Sequence, residues 1–139
     1  MRYGSIIVVV LTALLALSAL VGCGSPGIDR VDVTWDTSPP PRWGLYPGYR
    51  QEIPCPKGAA YHINVYSKDK DFTGGTVADA GYGLVFRPTA GARDIGAEVQ
   101  DRDHLTIYAT LRDKNGEARR LLCLRVERKG DKIYFEFPK

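Results

Sequence analysis

Residues 105–137 read LTIYATLRDKNGEARRLLCLRVERKGDKIYFEF. Leu105, Ile107, Ala109 and Leu111 alternate with Thr106, Tyr108 and Thr110, the period of two that marks a strand with one buried face. Asp113-Lys114-Asn115-Gly116 is a hairpin signal. Leu122, Leu124 and Val126 then run back, Lys129-Gly130-Asp131 turns again, and Ile133, Phe135 and Phe137 complete a third run. The pattern predicts a three-stranded antiparallel meander with one apolar face.

The same period recurs upstream. Tyr61, Ile63 and Val65 share a face opposite His62, Asn64 and Tyr66, while Phe72 to Val77 and then Tyr82, Leu84 and Phe86 give two further short strands. Val31, Val33 and Trp35 alternate with Asp32 and Thr34. Residues 89–103 fit either a short helix through Ala92, Ile95 and Val99 or a strand through Ile95, Ala97 and Val99, and their glycines weaken the helix. About seven short strands with turns at this spacing predict an all-β domain, a small antiparallel β-sandwich or open barrel. No long helical pattern is available to cover a sheet, which excludes an α/β architecture.

The chain has 139 residues, 44% of them hydrophobic, with 19 Lys+Arg against 16 Asp+Glu and a formal charge of +3. That length holds one domain. The charge is too small for a nucleic-acid binder, and the apolar share is too large for a disordered chain.

The first segment stands apart from the fold. Arg2 is its one charged side chain, and Ile6 to Val21 is an uncharged run dominated by Ile, Val, Leu and Ala. The run has the length of a secretory apolar region and falls short of the roughly 20 residues that span a membrane. It ends in Leu20-Val21-Gly22-Cys23, which resembles the lipobox of bacterial lipoproteins. The resemblance covers residues 1–23 only. It implies a cleaved signal peptide over 1–22, diacylglyceryl transfer to the Cys23 thiol, and a lipidated tether over 23–30 leading into a single β domain at 31–139. An uncleaved anchor with an incidental cysteine is the alternative, and it too leaves the domain on the extracytoplasmic side. Gly24 stands where Asp would retain a Gram-negative lipoprotein in the inner membrane, so in such a host the resemblance implies the outer membrane. Two or more acyl chains anchor a protein stably where one does so only marginally.

Cys55 and Cys123 remain. In an exported chain such a pair predicts a disulfide, worth roughly 4 kcal/mol for a loop of this length, with two free thiols as the alternative. Residues 37–58 form a Pro- and aromatic-rich strap that includes Trp43, Tyr46 and Tyr49. Cys123 lies between Leu122 and Leu124, so strand parity points it away from the face they share with Val126. A bridge to Cys55 would therefore draw the strap across that other face, over Leu121. Without the bridge, Arg42, Trp43, Tyr46 and Tyr49 become a candidate binding patch.

Other constellations read as structural. Asp69-Lys70-Asp71-Phe72-Thr73-Gly74 resembles the opening of a calcium loop, but Ala80 occupies the position of the bidentate Glu, and a solvated turn is the better account. Asp101 and Asp103 read as loop charges. The basic residues at 119–132 are interleaved with Glu117, Glu127 and Asp131, as charged gatekeepers on exposed strands are. His62 and His104 fall on separate predicted strands at no metal-ligand spacing from the cysteines, and neither Gly-x-Ser-x-Gly nor His-Glu-x-x-His occurs. The sequence thus predicts no metal, no cofactor and no catalysis. It points to a lipid-anchored envelope module that binds or assembles with an envelope protein or polymer. The alternative is an inhibitor or protective lipoprotein that blocks an extracytoplasmic enzyme through a loop at 67–76.

Overall fold

In the computed structural model, which describes residues 27–68 and 72–139, each alternating apolar run becomes a strand. The leader, Cys23 and residues 69–71 of the calcium-like loop lie outside the described residues. The strands are β1 (Ile28–Trp35), β2 (Arg42–Leu45), β3 (Arg50–Pro54), β4 (Ala60–Ser67), β5 (Phe72–Asp79), β6 (Leu84–Pro88), β7 (Ile95–Asp101), β8 (His104–Arg112), β9 (Ala118–Lys129) and β10 (Lys132–Glu136). Among the described residues there is no helix.

Two five-stranded antiparallel sheets result, ordered β2-β1-β4-β5-β6 and β3-β10-β9-β8-β7. The domain is an all-β sandwich that does not close into a barrel, and β8, β9 and β10 form the expected meander. Val31, Val33, Tyr61, Ile63, Val65 and Val77 of the first sheet meet Ile53, Ile133, Phe135, Leu124, Leu105 and Ile107 of the second, all fully buried. A sheet apolar on one face is stable only when that face is covered, and here each sheet covers the other.

Ten strands replace the expected seven or so. The first strand begins at Ile28, which is buried, so residues 28–30 belong to the domain and not to the tether. Residues 95–101 are a strand. The strap supplies the other two, β2 on the edge of one sheet and β3 on the edge of the other. Proline is compatible with edges because an edge strand pairs on one side only.

Because the strands run alternately up and down, the connections sort to two ends. One end carries the start of β1, the turn at 46–49, the β4–β5 connection, the turns at 89–94 and 113–117, and residues 137–139. The other carries 36–41, 55–59, 80–83, 102–103 and 130–131.

The disulfide expectation is corrected. Cys55 and Cys123 are both buried and unbonded. Cys55 follows Pro54, which pairs with Lys132, which in turn pairs with Lys129. Cys123 sits six residues back along β9, about 20 Å along the strand direction. A disulfide tolerates only about 7 Å between Cα atoms. The parity argument fails for a definable reason. Ile107 pairs with Leu124 but Tyr108 pairs with Leu122, so Cys123 is the extra residue of a β-bulge. The bulge turns Leu121 and Cys123 to the same side as Leu124 and Val126, and all four are buried. The strap therefore covers no second face of β9.

Desolvation raises the Cys55 thiol above its usual value and pushes Cys123 up to about 12. Thiols held in that form are poor nucleophiles and resist oxidation. In folded protein neither should react with a water-soluble thiol reagent. On unfolding without reductant, both should, as counted by absorbance; a count of zero would restore the bridge.

Candidate functional site

A depression of about 470 Å³ lies on the outer face of the second sheet. Ile133, Phe135, Val126, Leu105 and Ile107 take the inner face, so the alternate residues between them point to the outer face. Strand register then lines them up in rows. Glu52, Tyr134, Glu127, His104 and Asp101 stand opposite one another across β3, β10, β9, β8 and β7. One step along lie Arg50, Glu136, Arg125, Thr106 and Glu98.

The first row is joined by hydrogen bonds. Tyr134 Oη donates to Glu52 Oε1 at 2.6 Å. His104 Nε2 donates to Glu127 Oε2 at 2.7 Å, and Nδ1 donates to Asp101 Oδ1 at 2.7 Å. With a carboxylate on each ring nitrogen, both nitrogens must donate, so the ring is the imidazolium. The bonds from Asp101 and then Glu127 hold the His104 pKa above its ordinary value. In return, the His104 hydrogen bond lowers both carboxylates; the backbone N–H of Asp103 assists at Asp101 and the Lys129 charge at Glu127. The Tyr134 hydroxyl is raised, chiefly by its bond to Glu52.

The second row is a looser ionic ladder. Arg125 approaches Glu136 at 3.7 Å, and Arg50 reaches across to Glu127 at 3.7 Å. Arg50 also stacks over the Tyr134 ring at 4.2 Å. Thr106 Oγ1 donates to Gln100 Oε1 at 3.2 Å. The face is therefore a polar floor on which Asp101, Glu127 and Glu136 each stand beside a base. Such a floor can match a partner bearing both donors and acceptors.

The residues singled out from the sequence are dispersed. Arg42 is exposed at the start of β2, and Trp43 is half-buried against the core. Tyr46 and Tyr49, exposed 46% and 55%, meet edge-to-face at 5.4 Å in the β2–β3 turn. Arg42 and Tyr46 also line a shallow depression together with Arg30 and Asp32. His62 and His104 lie on different sheets, and His62 contacts Thr76 and Asp36 instead. Residues 72–76 of the proposed inhibitory loop belong to β5, with Phe72 buried.

Asp103 is more than a loop charge. Arg128 Nη2 donates to Asp103 Oδ1 at 2.9 Å and its Nη1 to Asp79 Oδ1 at 2.9 Å. Asp79 closes β5 of the first sheet while Arg128 is the penultimate residue of β9 in the second, so this pair ties the sheets together at one end. It lies outside the depression, and no short motif announces it. Among the described residues, no group of three or more His, Cys, Asp or Glu side chains converges on a point that could hold a metal ion.

No family model, curated protein or solved structure matches the chain, so the geometry of its own residues carries the functional argument.

Proposed function

We propose that the protein is a lipid-anchored envelope module that binds or assembles with an envelope protein or polymer, without catalysis, through the outer face of β3, β10, β9, β8 and β7. The observation that carries the reading is the leader ending in Leu20-Val21-Gly22-Cys23, followed within a few residues by a compact sandwich. Acyl chains on Cys23 would hold the domain at the membrane without a spanning helix. The polar rows support a binding role because their groups are fixed by one another before any partner arrives, which lowers the ordering cost of association. A partner with complementary charge alternation fits them.

The decisive experiment is membrane fractionation of the full chain with mass spectrometry of residue 23. The wild type should sediment with membranes and carry a diacylglyceryl mass on Cys23. Cys23→Ala should lose that mass and leave the membrane fraction almost completely, because no other attachment is proposed. A Cys23→Ala protein that stays membrane-bound would overturn the anchor. The binding face is tested separately by photocrosslinking from position 125 in membranes. A discrete crosslinked product abolished by Glu127→Lys supports the face, and no product at any polar-row position removes it.

A further inference from the structure

We infer that the end of the sandwich carrying the start of β1 docks on the bilayer surface, with Tyr46 and Tyr49 entering the headgroup region and nearby cations meeting anionic lipid. This rests on the lipid attachment at Cys23 and adds an orientation to it.

Tether length limits which surfaces can touch. Five Cα steps separate Cys23 from Ile28, so the start of β1 lies within about 18 Å of the lipidated residue. The sandwich is taller than that reach. An eight-residue strand such as β5 spans about 27 Å, so with this end down the opposite end is held several Debye lengths from the bilayer, at about 8 Å each.

The end within reach has the chemistry of an interfacial surface. Tyr46 and Tyr49 are both exposed and sit beside β1 where β2 gives way to β3, whereas the exposed Tyr82 stands at the opposite end, beyond the tether's reach. Tyrosine favours the water–lipid boundary because its ring is apolar and its hydroxyl stays hydrated. Lys139 lies against the same turn, close to Gly48. Lys68, Arg87, Arg93, Arg119 and Lys139 are exposed at this end, as is Glu117. Two of its acids are already engaged in turns. Asp94 accepts the Thr73 N–H, and Asp113 accepts the N–H groups of Asn115 and Glu117. At the opposite end Arg128 is held by Asp79 and Asp103 and Lys129 by Glu127, but Arg42, Lys57 and Arg102 are exposed there too, so it is the tether's reach and not the charge that selects the end. Lys and Arg near an anionic leaflet are attracted within a Debye length, and the tether brings those at the β1 end into that range.

The test uses full-length lipidated protein in vesicles of phosphatidylethanolamine with phosphatidylglycerol. Bimane is attached at Asn115→Cys, in the β8–β9 turn, or at Tyr82→Cys, in the β5–β6 turn at the far end; the native buried thiols stay unlabelled. A nitroxide on the lipid headgroup should quench the label at 115 severalfold more than the label at 82. Tyr46→Ser combined with Tyr49→Ser should reduce that difference at least twofold with thermal stability unchanged, and so should replacing phosphatidylglycerol with a zwitterionic lipid. Equal quenching at both positions, on protein that floats with the vesicles, overturns docking and leaves the anchor intact. A positional difference indifferent to both the tyrosines and the lipid charge overturns it too, because the tether alone would then set the distance. Protein that neither floats nor carries the Cys23 modification overturns anchor and docking together.

Discussion

Replacing Phe135 with alanine is expected to destabilise the domain by about 4 kcal/mol, the usual range for emptying a buried aromatic site being about 3–5 kcal/mol. Phe135 is fully buried on β10, and its ring meets that of Tyr61 at 5.4 Å with an interplanar angle of 65°. Tyr61 comes from β4 of the opposite sheet and touches Trp35 in turn, with ring centroids 6.0 Å apart. The Phe135–Tyr61 contact therefore crosses the sandwich, and its loss opens a cavity between two sheets that cannot easily move together. Domains of this size have roughly 5–15 kcal/mol in total, so the midpoint of thermal unfolding should fall by roughly 20 °C. Phe135→Leu should cost far less, since most of the volume is kept. Tyr82→Ala, at a side chain 74% exposed, should stay within about 0.5 kcal/mol of the parent. Calorimetry on the three variants decides the matter. A loss at Phe135→Ala no larger than at Tyr82→Ala would mean that the two sheets do not pack across this pair.

The contrast between those positions shows which features the sequence carries openly. Leu105, Ile107, Ala109, Ile133 and Phe135 alternate without interruption, and each lies inside, because nothing disturbs the period of two between one turn and the next. Cys123 lies inside against its sequence parity because a bulge adds one residue to β9 and reverses the parity of everything before it. Nothing local in LLCLRV distinguishes the bulged strand from a regular one, since both parities are apolar there. The strap strands were hidden differently. Pro41 and Pro54 mask β2 and β3, which are tolerated as strands only because they form edges, and edge position is a property of the whole sheet.

The polar floor was legible in parts. His104 and Thr106 could be placed outward from their apolar neighbours, but the meeting of His104 with Glu127 depends on the register between β8 and β9, beyond the same bulge. Asp101 and His104 are only three residues apart, yet they meet as cross-strand neighbours at a tight turn, a relation that spacing alone does not distinguish from a solvated loop. The exposed pair Tyr46 and Tyr49 was visible as residue types, and its position at the end of the sandwich where β1 begins required the topology.

Arg128→Met is expected to cost about 3 kcal/mol, as removal of one partner from a buried ion pair does. The Arg128 side chain is 14% exposed and that of Asp79 7%, so neither charge is well solvated without the other. Asp79 keeps hydrogen bonds from the N–H groups of Gly81 and Gly58, which is why the loss falls at the lower end of the range for such pairs. Combining Arg128→Met with Asp79→Asn removes both charges and should recover a substantial part of the stability, whereas independent sites would simply add. The acid limb gives a second readout. Hydrogen bonds from Gly81 and Gly58, together with the Arg128 charge, lower the Asp79 pKa in the folded protein. A carboxylate depressed in this way contributes stability that is fully present above its unfolded pKa and is lost as pH falls through the folded one. Arg128 stays charged across that window. Arg128→Met should therefore lie below the parent at neutral pH and draw closer to it as the solution is acidified below the carboxylate range. Denaturant titrations at several pH values measure this. A constant gap down to the lowest pH, or an additive double variant, would mean that Arg128 acts through the packing of its stem and that the sheets are not joined by its charge.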